Sequence, residues 1–363
     1  MTWLASRFEL SRGSAGNLRP MEGLRGLAVL MVFAVHYATL IDPWLPNGTL
    51  NVLAKAAGTV GHAGVDLFFV LSGYLIYGML ISKPRALGPF LRRRIRRIYP
   101  TYGAVFALYV ALSLAIPEEN KIPAGSWPAA AFLTSNFLLL PGLTSLPSFI
   151  TVAWSLSYEM FYYVVTPLLV VALGLRRRPA GDRVIWLAAL GLGLVALCVS
   201  LAGPVRLLGF VAGMAMFDLL EDRRIPLPGG LLAVGSLAVG LGAMLVPWSF
   251  LSAYEVKIVI LVSTLLVFCL SCVGRPASRL AAIFSWTPLR WLGNMSYSFY
   301  LIHGVTLLGL FRVFKWLVPP EPSAFLTVAL LPIALVLAMT TAAALFLLVE
   351  RPFSLVAPRP RPS

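Results

Sequence analysis

The chain has 363 residues, of which 59% are hydrophobic and 12% are charged, and its mean hydropathy is +0.86. A soluble domain is about half apolar and about a quarter charged, so this composition excludes a soluble globular protein and indicates an integral membrane protein. The formal net charge is +15. The basic residues lie between hydrophobic segments, so membrane topology explains them and no nucleic-acid partner is expected.

The hydrophobic pattern predicts an all-α bundle of about ten transmembrane helices. A span needs roughly 20 apolar residues, and shorter runs are accepted where neighbouring helices bury their ends. A further run, Trp127–Leu140, is short and contains Pro128, which favours a re-entrant or peripheral segment. The predicted spans are Gly23–Ile41, Gly64–Ile81, Ile98–Ile116, Ile150–Leu175, Val184–Ala202, Leu207–Leu220, Leu231–Val246, Tyr254–Val273, Met295–Leu317 and Phe325–Val349.

The basic residues set the expected orientation. With ten spans and a cytoplasmic N-terminus, 23 of the 29 basic residues fall on the inner side, as the positive-inside rule predicts. Both termini are therefore expected in the cytoplasm, and no signal peptide is recognised before the first apolar run. The sequence predicts a cytoplasmic segment over residues 1–22, a transmembrane domain over 23–352 and a disordered, Pro- and Arg-rich tail over 353–363.

The three cysteines, Cys198, Cys269 and Cys272, all lie in apolar segments. The C-x-x-C spacing of Cys269 and Cys272 falls on a predicted helix, which favours buried small hydrophobic residues over a redox pair. The sequence shows no cluster with metal-ligand spacing, so no metal site is expected.

The first predicted span contains an arginine and a histidine, Arg25 and His36, separated by ten mostly apolar residues. Eleven helical positions turn about 1100°, which leaves the two side chains within about 20° of one face. An ionisable group near mid-membrane is costly and faces a protein interior or a watery cavity. A neutral imidazole there suits general-base chemistry, and the alternative is a structural hydrogen bond between helices.

Five arginines stand within LRRRIRRIYP, residues 91–100, at the inner end of the third span. Arg93 and Arg97 are four residues apart, so a helix places them on neighbouring positions of its surface. Guanidinium groups bind phosphate oxygens in a bidentate manner, which indicates a phosphate-rich ligand from the cytoplasm. The alternative is a stop-transfer cluster against anionic lipid head groups.

The second span carries polar residues in GHAGVDLFFVLSGYLIYG. Asp66 is expected at its outer end as a candidate substrate contact, and His62 just before it is expected at the interface. Ser72 and Gly73 are small and favour close helix packing, whereas Tyr74 is a candidate to reach a cavity.

Two later stretches add polar groups to apolar segments. WSLSYEMFYY places Glu159 at about the expected depth of His36, with Tyr158 beside it as a candidate substrate contact. A buried carboxylate needs a partner, so Glu159 could orient the imidazole, bind a sugar hydroxyl or pair with an arginine. NMSYSFYLIH contributes Tyr297 and His303 as candidate substrate contacts, against a purely structural hydrogen-bonding role.

In this order, the five stretches resemble the membrane acyltransferase-3 family of integral membrane O-acyltransferases acting on carbohydrates. The resemblance covers about Leu18 to Pro352. Its marks are the pair Arg25 and His36, the FFVLSGYLI stretch, the RRxxRIxP signature with Arg93, Arg94, Arg97, Ile98 and Pro100, the WSLxxE stretch ending in Glu159, and SYSFYLIH.

The resemblance implies a cytoplasmic acyl-CoA donor, with acetyl-CoA as the default, and no permanently bound cofactor. It implies an essential His36, and donor handling by Arg25, Arg94 and Arg97. The expected acceptor is a hydroxyl of a polysaccharide, a lipid-linked sugar or a glycosylated small molecule such as a macrolide. The expected location is a bacterial cytoplasmic membrane, and the extra esterase-like domain of some members is not recognised here.

Two other classes of function stay open at this point. A proton-coupled transporter of an anion or glycan precursor could use the same intramembrane His36 and Glu159, although no internal repeat is found. A structural membrane protein could use His36 to hold helices together. Release of coenzyme A on addition of acetyl-CoA and acceptor would distinguish an enzyme from both, and uptake into vesicles without that release would favour transport.

Overall fold

A computed structural model of the chain describes residues 3–10, 18–222, 224–249 and 253–355. Its regular structure is helical, and no strand occurs within these ranges, which confirms the predicted all-α fold. A π-helical segment, Phe346–Leu355, continues the last helix. The helices are α1 (Trp3–Phe8), α2 (Leu18–Ile41), α3 (Thr49–Gly61), α4 (Ala63–Ser82), α5 (Leu87–Ala115), α6 (Ser126–Phe137), α7 (Trp154–Ala172), α8 (Ala180–Leu201), α9 (Leu208–Glu221), α10 (Gly230–Leu245), α11 (Ala253–Gly274), α12 (Arg279–Phe284), α13 (Thr287–Asn294), α14 (Ser296–Leu317) and α15 (Ala324–Leu345).

All ten predicted spans are helical. Within the described ranges, eight helical stretches are long and apolar enough to cross a membrane. The remaining two predicted spans correspond to α9 with 14 residues and α10 with 16. At 1.5 Å per residue these helices rise only about 21 and 24 Å, less than the roughly 30 Å hydrocarbon core. The side of the membrane on which each terminus lies stays a prediction.

Helix α6 accounts for the apolar run Trp127–Leu140. It has 12 residues, Ser126–Phe137, so it rises about 18 Å and is too short to cross the hydrocarbon region. A short 3₁₀ turn, Pro141–Leu143, follows it. This length agrees with the predicted re-entrant or peripheral segment.

Helix α2 has the central position in the bundle. It packs against α3, α4, α13 and α14, and makes smaller contacts with α11, α12 and α15. Its Leu24, Ala28 and Val29 are fully buried. Arg25 and His36 of this helix are partly buried among its neighbours, whereas Arg19 and Thr39 are exposed.

Helices α4 and α9 approach each other closely where glycines remove side chains. A Cβ atom added to Gly73 would lie 2.3 Å from the carbonyl oxygen of Phe210, and one added to Gly213 would lie 2.0 Å from that of Val70. These distances are far below van der Waals contact, so the helix pair requires glycine at both positions. Gly73 is thus a packing residue, as predicted.

The helices at the two ends of the described chain extend beyond the predicted transmembrane domain, whose boundaries stay a prediction. Helix α2 begins at Leu18 instead of Gly23, and the final π-helical segment extends to Leu355, past Pro352. The rest of the predicted tail, 356–363, lies outside the described residues, as does Arg12 of the predicted N-terminal segment. All three cysteines are buried and free, in agreement with their predicted packing role.

Candidate active site

A cavity of about 300 Å³ lies among α2, α4, α5, α7 and α14. We call it the arginine cavity. Its wall contains three arginines and one glutamate, so the lining carries an excess of positive charge that suits an anionic ligand. The side chains that define it are Arg25, Ser72, Arg94, Arg97, Glu159 and Tyr297.

Helix α5 supplies two arginines to this cavity because they are three positions apart. Arg94 lies between the rings of Phe90 and Tyr163, with its guanidinium carbon 5.5 and 5.6 Å from their centroids. Arg97 donates from Nη1 to Glu350 Oε1 at 2.6 Å and lies 5.4 Å from the Tyr297 ring centroid. Aromatic faces and a carboxylate therefore fix both guanidinium groups in the wall.

Helix α2 supplies the third arginine. Nε and Nη2 of Arg25 each donate to Ser296 Oγ at 3.2 Å. The guanidinium carbon also lies 6.0 Å from the ring centroid of Phe68. The first turn of α14 thus holds the end of Arg25 against the cavity.

The acidic group of the arginine cavity is Glu159 on α7. Its Oε1 accepts hydrogen bonds from Ser72 Oγ at 3.3 Å and from the Tyr163 hydroxyl. Both donors come from side chains that also line the cavity. A carboxylate so bonded is held in place and can accept a further hydrogen bond from a ligand.

A second cavity, of about 280 Å³, is reached by the imidazole of His36. We call it the histidine cavity. Its lining is mostly apolar, with polar groups from the segments that follow α5 and precede α7. The residues that define it are His36, Thr39, Tyr109, Lys121, Thr151 and Val152.

His36 pairs with His303 of α14. His303 Nε2 lies 3.2 Å from His36 Nδ1, and the two rings meet edge to face at 81° with centroids 4.8 Å apart. His303 is fully buried, and its Nδ1 lies 2.9 Å from the carbonyl oxygen of Phe299. His36 Nδ1 lies 2.9 Å from the carbonyl oxygen of Val32.

These contacts assign the protons of the neutral pair. A carbonyl oxygen can only accept, so His303 Nδ1 donates to Phe299 and its Nε2 is left with a lone pair. His36 Nδ1 then faces two acceptors, the Val32 carbonyl and His303 Nε2, and must carry the proton. The basic nitrogen of His36 is therefore Nε2, on a ring that lines the histidine cavity. This is the tautomer that a general base needs.

A thin wall separates the two cavities. Tyr300 lines the arginine cavity, and its ring centroid lies 6.3 Å from that of His303. The Tyr300 hydroxyl lies 2.7 Å from Ser155 Oγ and donates to the Val152 carbonyl oxygen at 3.0 Å. Ser155 lines the arginine cavity and Val152 the histidine cavity. One layer of side chains thus divides them.

The predicted common face of Arg25 and His36 is present. Both side chains contact α14, through Ser296 and His303 respectively. The two side chains line different cavities, Arg25 the arginine cavity and His36 the histidine cavity. Tyr300 lies beside both, lining the arginine cavity and packing near His303.

The structure places Glu159 apart from the imidazole. Among the described residues, Glu159 accepts hydrogen bonds from Ser72 and Tyr163. The side chain that contacts His36 Nδ1 is His303. Of the three roles considered for Glu159, orientation of the His36 imidazole is not seen: His303, expected to contact substrate, is the side chain bonded to that ring.

Helical phase explains two further corrections. Arg93 is exposed and does not line the arginine cavity, because it is rotated about 100° from Arg94 on α5. Tyr74 packs against Phe217 at 5.7 Å and reaches neither cavity described above. Ser72, expected only to pack, is the α4 side chain that bonds to Glu159.

Asp66 and Tyr158 also lie outside both cavities. Asp66 is fully buried and pairs with Arg206 Nη1 at 2.6 Å. Tyr158 packs against Phe69 and Trp154, with ring centroids 5.9 and 5.5 Å apart. The structure thus gives both side chains packing or ion-pair contacts instead of the predicted substrate-facing positions, whereas Tyr297 does line the arginine cavity.

Three residues at or near the cavities were not assigned to the site from sequence, namely Tyr163, Tyr300 and Glu350. Glu350 follows directly after the last apolar run, and an acid in that position is a signal of a buried partner. Tyr163 and Tyr300 carry no such signal, because aromatic residues are common throughout this chain.

The fold and these two cavities define a multi-pass, all-α membrane protein with an arginine-rich cavity next to a pair of bonded histidines. A family model described as an acyltransferase domain matches residues 20–347. The chain therefore belongs to this acyltransferase family, as its motifs predicted.

Two relatives illustrate the similarity. The chain is 30% identical over 319 residues to the peptidoglycan O-acetyltransferase OatA of Listeria monocytogenes, covering 78% of this chain and 48% of that protein. It is 28% identical over 323 residues to the acyltransferase MdmB of Streptomyces mycarofaciens, covering 79% of this chain and 78% of that protein. The chain thus spans about half of the Listeria relative's length. No solved structure matches the chain.

Proposed function

We propose that the protein is an O-acyltransferase that moves an acyl group, by default acetyl, from acyl-CoA to a hydroxyl of a carbohydrate. His36 is the general base. The observation that carries this proposal is the hydrogen-bonded pair of His36 and His303, which leaves His36 Nε2 basic at a cavity wall one side chain from the arginine cavity. Family membership favours this chemistry over transport.

The arginine cavity is the proposed donor site. Coenzyme A carries phosphate groups, and Arg25, Arg94 and Arg97 supply guanidinium groups that match phosphate oxygens. The predicted topology places these residues at the cytoplasmic side, where acyl-CoA is made. Glu159 and Tyr297 line the same cavity and can accept or donate hydrogen bonds to the pantetheine amides.

The histidine cavity is the proposed acceptor site. Its polar lining includes Thr39, Lys121 and Thr151, side chains that can bond to sugar hydroxyl groups. The predicted topology places Lys121 on the outer side, so the acceptor enters from there in this proposal. The name of the Listeria relative describes peptidoglycan O-acetylation, and a carbohydrate hydroxyl is the acceptor class that we extend to this chain.

The proposed reaction is a direct transfer. The acceptor oxygen attacks the thioester carbonyl carbon while His36 Nε2 takes the hydroxyl proton. The new C–O ester bond forms, the C–S bond breaks, and the proton passes from the imidazolium to the coenzyme A thiolate. During this step, the Val32 carbonyl and His303 Nε2 accept from His36 Nδ1 and stabilise the imidazolium.

The acyl end of the donor must cross the wall for this reaction to occur. Tyr300 is the side chain to displace, because it lines the arginine cavity and touches the histidine pair. Its hydroxyl is held by Val152 and Ser155. In the proposed mechanism, binding of the pantetheine arm moves this ring aside and brings the thioester to His36.

The test uses the purified protein in lipid nanodiscs with radiolabelled acetyl-CoA and a panel of oligosaccharide acceptors. Labelled ester product and free coenzyme A are expected in equal amounts. His36→Ala should abolish both while leaving expression and melting temperature intact. His62→Ala is the matched control, since His62 is exposed and lines neither cavity. Normal transfer by His36→Ala would overturn the proposal, and solute uptake into vesicles without coenzyme A release would favour transport.

A further inference from the structure

The π-helical segment at the end of the chain contains a fully buried acid, Glu350. Its near neighbour Leu348 is 71% exposed, so the segment directs the carboxylate inward and the leucine outward. π-helical insertions are rare and occur often at functional sites. A carboxylate at a buried position next to apolar spans requires donors to stabilise it.

Three donors surround the Glu350 carboxylate. Arg97 Nη1 lies 2.6 Å from Oε1, and the Ser298 backbone N–H and hydroxyl donate to Oε2 at 3.0 and 2.5 Å. The side chain of Arg97 is 20% exposed and lines the arginine cavity, whereas that of Glu350 is fully enclosed. Glu350 thus lies behind the guanidinium, on the side away from the cavity.

The same turn of α14 holds the other parts of the arginine cavity. Ser296 accepts from Arg25, and the Tyr297 hydroxyl donates to the Ile98 carbonyl oxygen at 2.9 Å, next to Arg97. Three consecutive residues of α14 therefore connect to α2, to α5 and to Glu350. Because Glu350 joins Ser298 to Arg97, it links the end of the chain to the position of a cavity-lining cation.

We infer that Glu350 is a positioning residue for the donor: it fixes the Arg97 guanidinium in the orientation that receives a phosphate of acyl-CoA. The inference rests on the proposed function. The Glu350 carboxylate accepts from Nη1 of Arg97. Because a guanidinium has five N–H donors, the other N–H groups of Arg97 are available to donate to a phosphate. A fixed fork binds phosphate with less loss of side-chain freedom than a mobile one.

The test is a double-mutant cycle with coenzyme A binding as the readout. Wild type, Glu350→Gln, Arg97→Ala and the double variant are titrated with coenzyme A in nanodiscs. Glu350→Gln should raise Kd by between about tenfold and a hundredfold, the cost of a misplaced binding group. Because Glu350 acts through Arg97, the double variant should bind no worse than Arg97→Ala alone. Additive losses in the double variant would overturn the inference.

Turnover supplies the second arm. For acetyl-CoA, Glu350→Gln should raise KM by the same factor as Kd while kcat at saturation stays within about twofold. A phosphate-free thioester, S-acetyl-N-acetylcysteamine, should be used equally well by wild type and variant. Equal losses with both donors would show a merely structural role and overturn the inference.

Two further variants separate positioning from folding. Glu350→Asp keeps the charge and should recover part of the affinity. Asp218→Asn removes another buried carboxylate, which pairs with Arg183 away from both cavities. This variant should alter turnover of acetyl-CoA and of the phosphate-free thioester by the same factor. Failure of the wild type to transfer acetyl from either donor would instead refute the proposed function, so the two failures are distinguishable.

Discussion

Nε2 of His303 lies 3.2 Å from Nδ1 of His36, although the two histidines are 267 residues apart in the chain. This contact fixes which nitrogen of His36 is basic and holds the ring at the wall between two cavities. His303 itself is fully buried, so in the proposed reaction it acts on the acceptor substrate only by orienting His36.

Replacement of His303 tests this relationship. His303→Ala removes the acceptor that holds His36 Nδ1–H, so kcat should fall on the order of a hundredfold with little change in the KM for acyl-CoA. His303→Gln offers an amide oxygen in the same region and should recover part of kcat. Steady-state kinetics with acetyl-CoA and acceptor measure both values. An unchanged kcat in His303→Ala would show that Val32 alone suffices to orient the imidazole.

Two neighbouring arginines provide a matched pair. Arg94 lines the arginine cavity between Phe90 and Tyr163, whereas Arg93 is exposed. Arg94→Ala should raise the KM for acyl-CoA by about tenfold to a hundredfold, since a charge-assisted hydrogen bond is lost. Arg93→Ala should leave it within about twofold. If both variants lose affinity equally, general attraction by the positive cluster would account for donor binding.

Asp66 should be required for stability and not for substrate binding. It is fully buried and paired with Arg206, and removal of one partner of a buried pair costs about 3–5 kcal/mol. Asp66→Ala should therefore lower the melting temperature in detergent while the surviving folded enzyme keeps its KM for acceptor. A raised acceptor KM at unchanged stability would restore the substrate-binding role expected from sequence.

The close approach of α4 and α9 predicts a severe effect of one methyl group. Gly73→Ala would place Cβ 2.3 Å from a backbone oxygen of α9, and such overpacking costs about 1–3 kcal/mol. Activity should also fall, because Ser72 next to it bonds to Glu159. Gly193→Ala in α8 is the control, since nothing lies within 4 Å of its added Cβ. Thermal unfolding of the two variants in the same detergent decides this prediction.

The sequence sufficed for the fold class, and it singled out three ionisable residues that line the two cavities. Arg25, His36 and Glu159 are recognisable because a charge or imidazole in an apolar run is costly and needs a reason. The partner of each was not predictable in the same way. His36 meets His303 only because α2 packs against α14, and no local pattern in either segment encodes that contact.

Helix orientation was the second limit. Helix α4 is apolar around most of its circumference, so its sequence does not indicate which side faces a cavity. The sequence therefore predicted a packing role for Ser72 and a cavity position for Tyr74, and the structure shows the reverse. In α5 the arginines occupy several faces, and only the packed structure distinguishes Arg94 and Arg97 from Arg93.

The layer formed by Tyr300 and His303 bears on hydrolysis of the proposed acyl donor. Acyl thioesters are hydrolysed when an activated water reaches them, and the basic nitrogen of His36 could activate water as readily as a sugar hydroxyl. Tyr300, bonded to Ser155 and Val152, lies between that nitrogen and the cavity proposed to hold the thioester. In the proposed mechanism, the closed wall thus separates His36 from the donor site until the pantetheine arm itself displaces the Tyr300 ring.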